Sequence, residues 1–190
     1  MPTEKEKMLA GSMYDANDSQ LIAERQRARY LCKSLNESHD KDQAFRQRIV
    51  TELFGKVGDS LWIEPPFYCD YGSNITLGNK VYFNFNCVIL DPALVTIGNN
   101  VLFGPAVQIY TATHPTNAFE RRTWLEFARS IKIGDDVWIG GGAIICPGVC
   151  IGSRTTIGAG SVVTHDVPED VLAAGNPCRI IRQIDKKQIE

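Results

Sequence analysis

From Ile133 to Pro168 the chain repeats itself every six residues: IGDDVW, IGGGAI, ICPGVC, IGSRTT, IGAGSV, VTHDVP. Each block opens on an aliphatic residue (Ile133, Ile139, Ile145, Ile151, Ile157, Val163), and in four of the six a Gly follows at once. The fifth position is always small or β-branched (Val137, Ala143, Val149, Thr155, Ser161, Val167). A period of six fits neither an amphipathic helix nor an alternating strand, but it does fit a parallel β-helix whose coils have short, flat sides. The aliphatic residue points inward to fill a narrow core, and the Gly frees the backbone at the corners.

The same period starts earlier. Leu77, Phe83 and Ile89 open blocks, and Ile97, Phe103 and Ile109 open another set after a two-residue slip around Pro92 to Val95, which predicts a bulged coil there. Ile109 and Ile133 are again a multiple of six apart, so the chain between them must leave the solenoid and return in register. The residues that project, 111–130, include Thr113, His114, Pro115, Arg121, Arg122, Trp124 and Glu126. Long excursions from a regular scaffold tend to line a site or an interface.

The first 57 residues read as helical. Thr3 and Glu6 form a capping box, with Gly11 as a stop. Asp18 caps a second helix carrying Leu21, Ile22, Ala28, Leu31 and Leu35 on one face, and a third begins near Asp40 or Asp42 with Phe45, Ile49 and Leu53 in line and Gly55 at its end. Such a segment suits a cap over one open end of the β-helix, whose strand edges would otherwise be unpaired. The expected organisation is a cap over 1–57, the β-helix over 58–178 with its loop 111–130, and a tail over 179–190.

Composition narrows the partners. A net charge of −2 and a pI near 5.9 carry no polyanion-binding signal, so nucleic acid is not expected as the main partner. The chain has neither a long apolar run nor a signal-like start, which points to a soluble, cytoplasmic protein away from membranes. The six cysteines (Cys32, Cys69, Cys87, Cys146, Cys150, Cys178) are scattered, several at repeat positions that want a small apolar side chain, and are read as reduced. Cys146 and Cys150 have a metal-like spacing but no second pair nearby, so no metal is expected.

The hexapeptide blocks resemble those of the hexapeptide-repeat acyltransferases, which fold as left-handed β-helices with three hexapeptides per coil. The opening TEKEKMLAG-x-x-Y and the later WIEPPFYCDYGSNI are similar to the maltose, galactoside and nodulation sugar O-acetyltransferases of that group. The resemblance implies a homotrimer that transfers acetyl from acetyl-CoA to a sugar hydroxyl, with the helical segment contributing to the acceptor pocket. It also implies roles. His114, in Tyr-Thr-Ala-Thr-His-Pro, stands at the general base, and an imidazole with an ordinary pKa near 6.5 suits that task at neutral pH. Glu126 in the same loop, or a backbone carbonyl, could fix its tautomer. Asn84 matches the position assigned to transition-state and acceptor contacts.

On the acceptor side, Asp70 and Asp91 fall at or beside the family's sugar-binding positions, with Asp15 a further candidate. The galactoside enzymes carry a hydroxyl residue where Asp70 stands and a second acid where Pro92 stands, so the departure leans toward maltose or glucose. On the donor side, Gly141 and Ala159 match turns along which pantetheine runs, and Trp138 could pack against that arm or against a neighbouring chain. Thr164 and His165 align with adenine-side contacts, and Arg179 and Arg182 with the phosphates, which guanidinium forks suit. A γ-type carbonic anhydrase, also a β-helix, would need three histidines around zinc from adjacent coils. His39, His114 and His165 are too dispersed for that. Another acceptor (a galactoside, an oligosaccharide, an amino acid or a drug) and a non-enzymatic trimeric binding module stay open at this level.

Overall fold

The computed structural model describes residues 1–39 and 41–185. Three helices open the chain. The first, α1 (Glu4–Leu9), has the capping box expected of Thr3 and Glu6, and Gly11 follows its C-cap at φ 71°. The second, α2 (Ser19–Asn36), is capped by Asp18. The third, α3 (Gln43–Leu53), is capped by Asp42, whose carboxylate accepts the Phe45 amide; the alternative start, Asp40, lies outside the described residues. Ala28, Leu31, Cys32 and Leu35 of α2 and Ile49, Val50 and Leu53 of α3 are buried in one cluster with the solenoid core. The helices therefore share the core they cover.

From Lys56 onward the chain winds as a parallel β-helix with three walls. The first wall stacks Lys56–Val57, Ile75–Leu77, Val95–Ile97, Ile131–Ile133 and Cys150–Ile151. The second stacks Trp62–Ile63, Tyr82–Phe83, Leu102–Phe103, Trp138–Ile139, Thr156–Ile157 and Val171–Ala174. The third stacks Phe67–Cys69, Cys87–Leu90, Gln108–Tyr110, Ile144–Ile145 and Val162–Val163. Block-opening residues meet their counterparts one coil on: Ile133 pairs with Ile151, Ile139 with Ile157 and Ile145 with Val163. All six are buried, so each hexapeptide supplies one inward anchor per wall. At the cap end the core is aromatic: Phe54 meets Phe67 edge-on at 5.7 Å, and Phe83 stacks flat on Phe103 at 4.4 Å.

Early coils are longer. Leu77 pairs with Ile97, Phe83 with Phe103 and Ile89 with Ile109, twenty residues on each time, against eighteen in the later coils. The additional residues fall at one edge, between the third and first walls, where the slip around Pro92 to Val95 is found. Residues 111–130 leave from that same edge. They are more ordered than a plain loop: Ala112–Thr113 pairs antiparallel with Phe127–Ala128, and a short helix α4 (Ala118–Arg121) sits at the tip.

The edge between the second and third walls is tight and smooth. A Cβ on Gly104 would lie 2.5 Å from the Gly141 amide nitrogen, so these coils close up only with glycine there. One turn position recurs in the left-handed region at Asn86, Ala106, Gly142 and Gly160, with φ between 57° and 69°. At the other end Arg179–Gln183 folds back antiparallel onto Val171–Ala174, where the sequence suggested only a tail; residues 186–190 of that tail lie outside the described residues. No helix among the described residues is long and apolar enough to cross a membrane.

Candidate active site

The longer edge, between the third and first walls, carries Asp70, Asp91 and the hairpin with His114 and Glu126. Asp91 follows the strand Cys87–Leu90 and is fully buried; one carboxylate oxygen accepts the amides of Asp70 and Tyr71 at 3.0 and 2.9 Å. Burial pushes its carboxyl up to about 7. The expectation that Asp91 contacts an acceptor is corrected for this chain: it holds the Asp70–Tyr71 backbone from behind and has no exposed surface. Asp70 is half-buried, and desolvation raises its carboxyl while nearby Arg25 opposes that shift. Thr111 completes the edge by accepting the Ala93 amide and donating to the Leu90 carbonyl.

His114 is the first residue past the outgoing strand of the hairpin and is half exposed. Its Nε2 lies 3.6 Å from Glu126 Oε2, too long for a hydrogen bond but close enough for a carboxylate to stabilise a protonated imidazole. The other oxygen, Oε1, accepts a 2.7 Å hydrogen bond from the hydroxyl of Tyr14. His114 opens on a cleft of about 500 Å³ whose lining includes Met13, Thr116, Glu120, Phe127, Arg129 and Pro147. A second depression of about 440 Å³ on its other side is bordered by Arg121, Arg122 and the exposed Trp124. Asp15 is exposed beside Tyr14, its carboxylate taken up by the Asn17 amide.

Behind these groups the cap makes a small cluster of its own. Met8, Tyr14, Leu21 and Tyr71 are buried together, and Arg25 of α2 donates to the Tyr71 hydroxyl at 2.7 Å and to the Ala16 carbonyl at 2.6 Å. The sequence reading passed over Tyr14, Arg25 and Tyr71. A signal was present for two of them, since Tyr14 ends the G-x-x-Y stretch and Tyr71 lies within CDYGS.

The residues expected on the donor side gather elsewhere. Asn84, Gly141 and Ala159 follow one another up the smooth edge between the second and third walls, with Asn84 Oδ1 accepting the Phe85 amide. Trp138 stands on the outer face of the second wall, half exposed, directly above Leu102. At the far end, Thr164 and His165 hydrogen-bond to each other, and His165 and Arg179 border a depression of about 530 Å³. Arg182 lies further along the same exposed terminal strand. In one chain, then, the third wall stands between Asn84 and His114.

The maltose acetyltransferase hexapeptide capping motif matches residues 7–58, and the six-repeat bacterial transferase hexapeptide matches residues 130–165. The galactoside O-acetyltransferase of Escherichia coli (strain K12) is 42% identical over 182 residues, 96% of this chain and 90% of that one. The chain belongs to the hexapeptide-repeat acetyltransferases. The crystal structure of a maltose O-acetyltransferase from Clostridium difficile 630 superposes with a TM-score of 0.96 at 46% identity, covering 97% of this chain and 99% of that one. A hexapeptide-repeat acetyltransferase from Vibrio cholerae, solved in complex with acetyl coenzyme A, gives 0.90 at 42% identity over 97% and 100%. The enzyme is an acyltransferase of the maltose and galactoside O-acetyltransferase type.

Proposed function

We propose that the enzyme transfers acetyl from acetyl-CoA to a hydroxyl of maltose, glucose or a related sugar by direct attack, with His114 as general base. The observation that carries this reading is the His114–Glu126 pair, with His114 at the mouth of the cleft and the half-buried Asp70 near enough to feel the Glu126 charge. A sugar hydroxyl is too weak an acid to ionise at neutral pH, so its proton must leave as the oxygen attacks. The acceptor O–H bond breaks toward the imidazole, and Glu126 offsets the charge that appears there. Acetyl-CoA supplies a thioester carbonyl already activated toward that oxygen, and the imidazolium can return the proton to the leaving thiolate. Asn84 and the Gly141 amide are suited to donate to the developing oxyanion. Asp70, and the Asp15 oxygen left over by the Asn17 amide, are suited to accept sugar hydroxyls, while Asp91 works through the backbone of Asp70.

Acetyl-CoA fits the smooth edge because, past Phe85 and Pro105 in the earlier coils, the residues that stand along it are small, Gly141 and Ala159. Cβ atoms at the neighbouring Gly142 and Gly160 would meet open space, so the groove beside them is free for a slender chain such as pantetheine. Trp138 flanks that path, and Thr164, His165, Arg179 and Arg182 suit the adenine and phosphates at its far end.

The split between the edges supports a homotrimer, in which the Asn84 edge of one chain meets the His114 edge of its neighbour. The outer faces of the walls carry the surface such an assembly needs, with Tyr68, Leu102 and Trp138 each about half exposed. The six free thiols and the acetyl-CoA requirement are in keeping with a cytoplasmic enzyme. The proposed division of labour is an acceptor-side segment over 1–57, the acyltransfer body over 58–178, and a donor-side tail from 179.

The test is thiol release from acetyl-CoA in the presence of glucose, maltose and a galactoside, with wild type and His114→Ala. Turnover with glucose or maltose and a loss of roughly two to four orders of magnitude in the variant, at unchanged coenzyme A affinity, is the expected result. Near-normal turnover by His114→Ala would remove the base; no sugar turnover, with release driven by an amine, would remove the acceptor.

A further inference from the structure

The proposed chemistry leaves one arrangement unexplained. A cap needed only to close the solenoid would stop at α2 and α3. Instead the chain before α2 runs to the root of the hairpin, where Tyr14 and Glu126 are joined three times. The Tyr14 amide donates to the Glu126 carbonyl at 3.0 Å, the Glu126 amide donates to the Tyr14 carbonyl at 3.2 Å, and the Tyr14 hydroxyl donates to Glu126 Oε1 at 2.7 Å. Tyr14 has no exposed surface.

Packing alone would be served by phenylalanine. What the hydroxyl adds is direction. A glutamate side chain has several rotatable bonds, and its carboxylate can turn to present either oxygen or neither. With the backbone paired and Oε1 fixed by a 2.7 Å bond, Oε2 is left toward the imidazole, 3.6 Å from Nε2. Burial, and then the bond to Glu126, raise the Tyr14 phenol far above its ordinary range, so the hydroxyl is a standing donor and the carboxylate oxygen a standing acceptor. Met8, Leu21 and Tyr71 hold the ring from the cap and the third-wall edge, and Lys5 ties α1 to Glu24 of α2 at 2.7 Å.

We infer that Tyr14 is a positioning residue of the acetyl transfer: through its hydroxyl it orients Glu126, and Glu126 in turn stabilises the imidazolium that forms when His114 takes the acceptor proton. The inference rests on the base assignment made above. It gives the N-terminal segment a part in turnover that its place at one end of the solenoid does not suggest.

The experiment compares Tyr14→Phe, Glu126→Gln and the double variant, with His114→Ala alongside. Tyr14→Phe keeps the ring and loses one hydrogen bond to a charged group, so kcat should fall roughly tenfold while KM for both substrates stays within about twofold. Glu126→Gln should lose more. The double variant should be no slower than Glu126→Gln alone, because Tyr14 acts only through that carboxylate. A purely structural role would instead leave kcat per folded enzyme unchanged or make the two losses multiply, whatever the melting midpoint does, and either result overturns the inference. Should Tyr14→Phe not fold, Glu126→Asp decides: it keeps the charge and draws it back by one methylene, so wild-type kcat there would sink the idea. If His114→Ala retains turnover, the base assignment fails first. If His114→Ala is inactive while Tyr14→Phe is normal, only the role of Tyr14 fails.

Discussion

Two of the three long edges of this β-helix were built by opposite rules. Between the third and first walls the period of six is broken: early coils carry additional residues, carboxylates are buried, and a hairpin leaves the solenoid at Thr111 and returns before Ile131. Between the second and third walls the period is kept, and the side chains shrink until Gly104 and Gly140 touch the backbone of the next coil. A broken period makes room for groups that need individual placement, such as Asp70, His114 and Glu126. A kept period makes a straight, shallow track that suits an extended ligand.

The sharpest way to break this comparison is to disable each edge separately. Asn84→Ala should lower turnover by about two to three orders of magnitude, as loss of an oxyanion donor does. His114→Ala and Asn84→Ala chains, refolded together, should then regain roughly a quarter of wild-type activity, because random assembly joins an intact His114 edge to an intact Asn84 edge at that share of interfaces. No recovery on mixing, with both chains folded and associated, would mean that one chain makes the whole site.

A second, smaller effect probes the tightness of the smooth edge. A Cβ on Gly140 would lie 2.5 Å from the Ala159 amide nitrogen, so Gly140→Val should cost about 3 kcal/mol or more of stability, through overpacking against backbone that cannot move. A melting midpoint equal to wild type would show that the coils are looser than the pairing implies.

The irregular edge should instead reveal itself in pH dependence. Asp91 titrates at about 7 in the folded chain against an ordinary 3.8, so between those values the folded state holds a proton that the unfolded state has lost. Its contribution to stability is therefore greatest at low pH and declines as pH rises toward 7. Asp91→Asn should flatten that decline, melting a few degrees above wild type at pH 8 and near it at pH 4. Parallel melting curves across that window would show Asp91 ionised throughout.

The smallest effect belongs to the turns of the smooth edge. Gly142 has φ 68° with open space where a Cβ would go, so Gly142→Ala should cost only about 1 kcal/mol and leave turnover within about twofold. A far larger loss of turnover would mean that the groove beside Gly142 admits no added methyl, and would sharpen the case for a ligand lying there.

Much of this was legible because it is periodic. Inward aliphatics every six residues define a solenoid whatever their neighbours are, since only that fold buries them all. The caps at Thr3, Asp18 and Asp42 were legible for a similar reason: a helix start is a local matter of unsatisfied amides and a nearby side-chain oxygen. His114 and Glu126 could be picked out from the resemblance and from their place in the excursion. Their contact could not, because the eleven residues of hairpin between them had first to close.

What the tertiary structure decided was which groups face one another. Asp91 and Asp70 read alike in the sequence, yet one is sealed beneath two amides and the other stays half-buried, because the longer coils turn the first inward. Tyr14 lies 112 residues from Glu126, and nothing local predicts that its hydroxyl will meet that carboxylate. The left-handed turns at Asn86 and Ala106 likewise carry no glycine to announce them; the coils on either side impose the conformation. Periodic burial is summed along the chain and so can be read from it. The pairing of particular polar groups depends on where distant segments come to rest, and only the folded chain determines that.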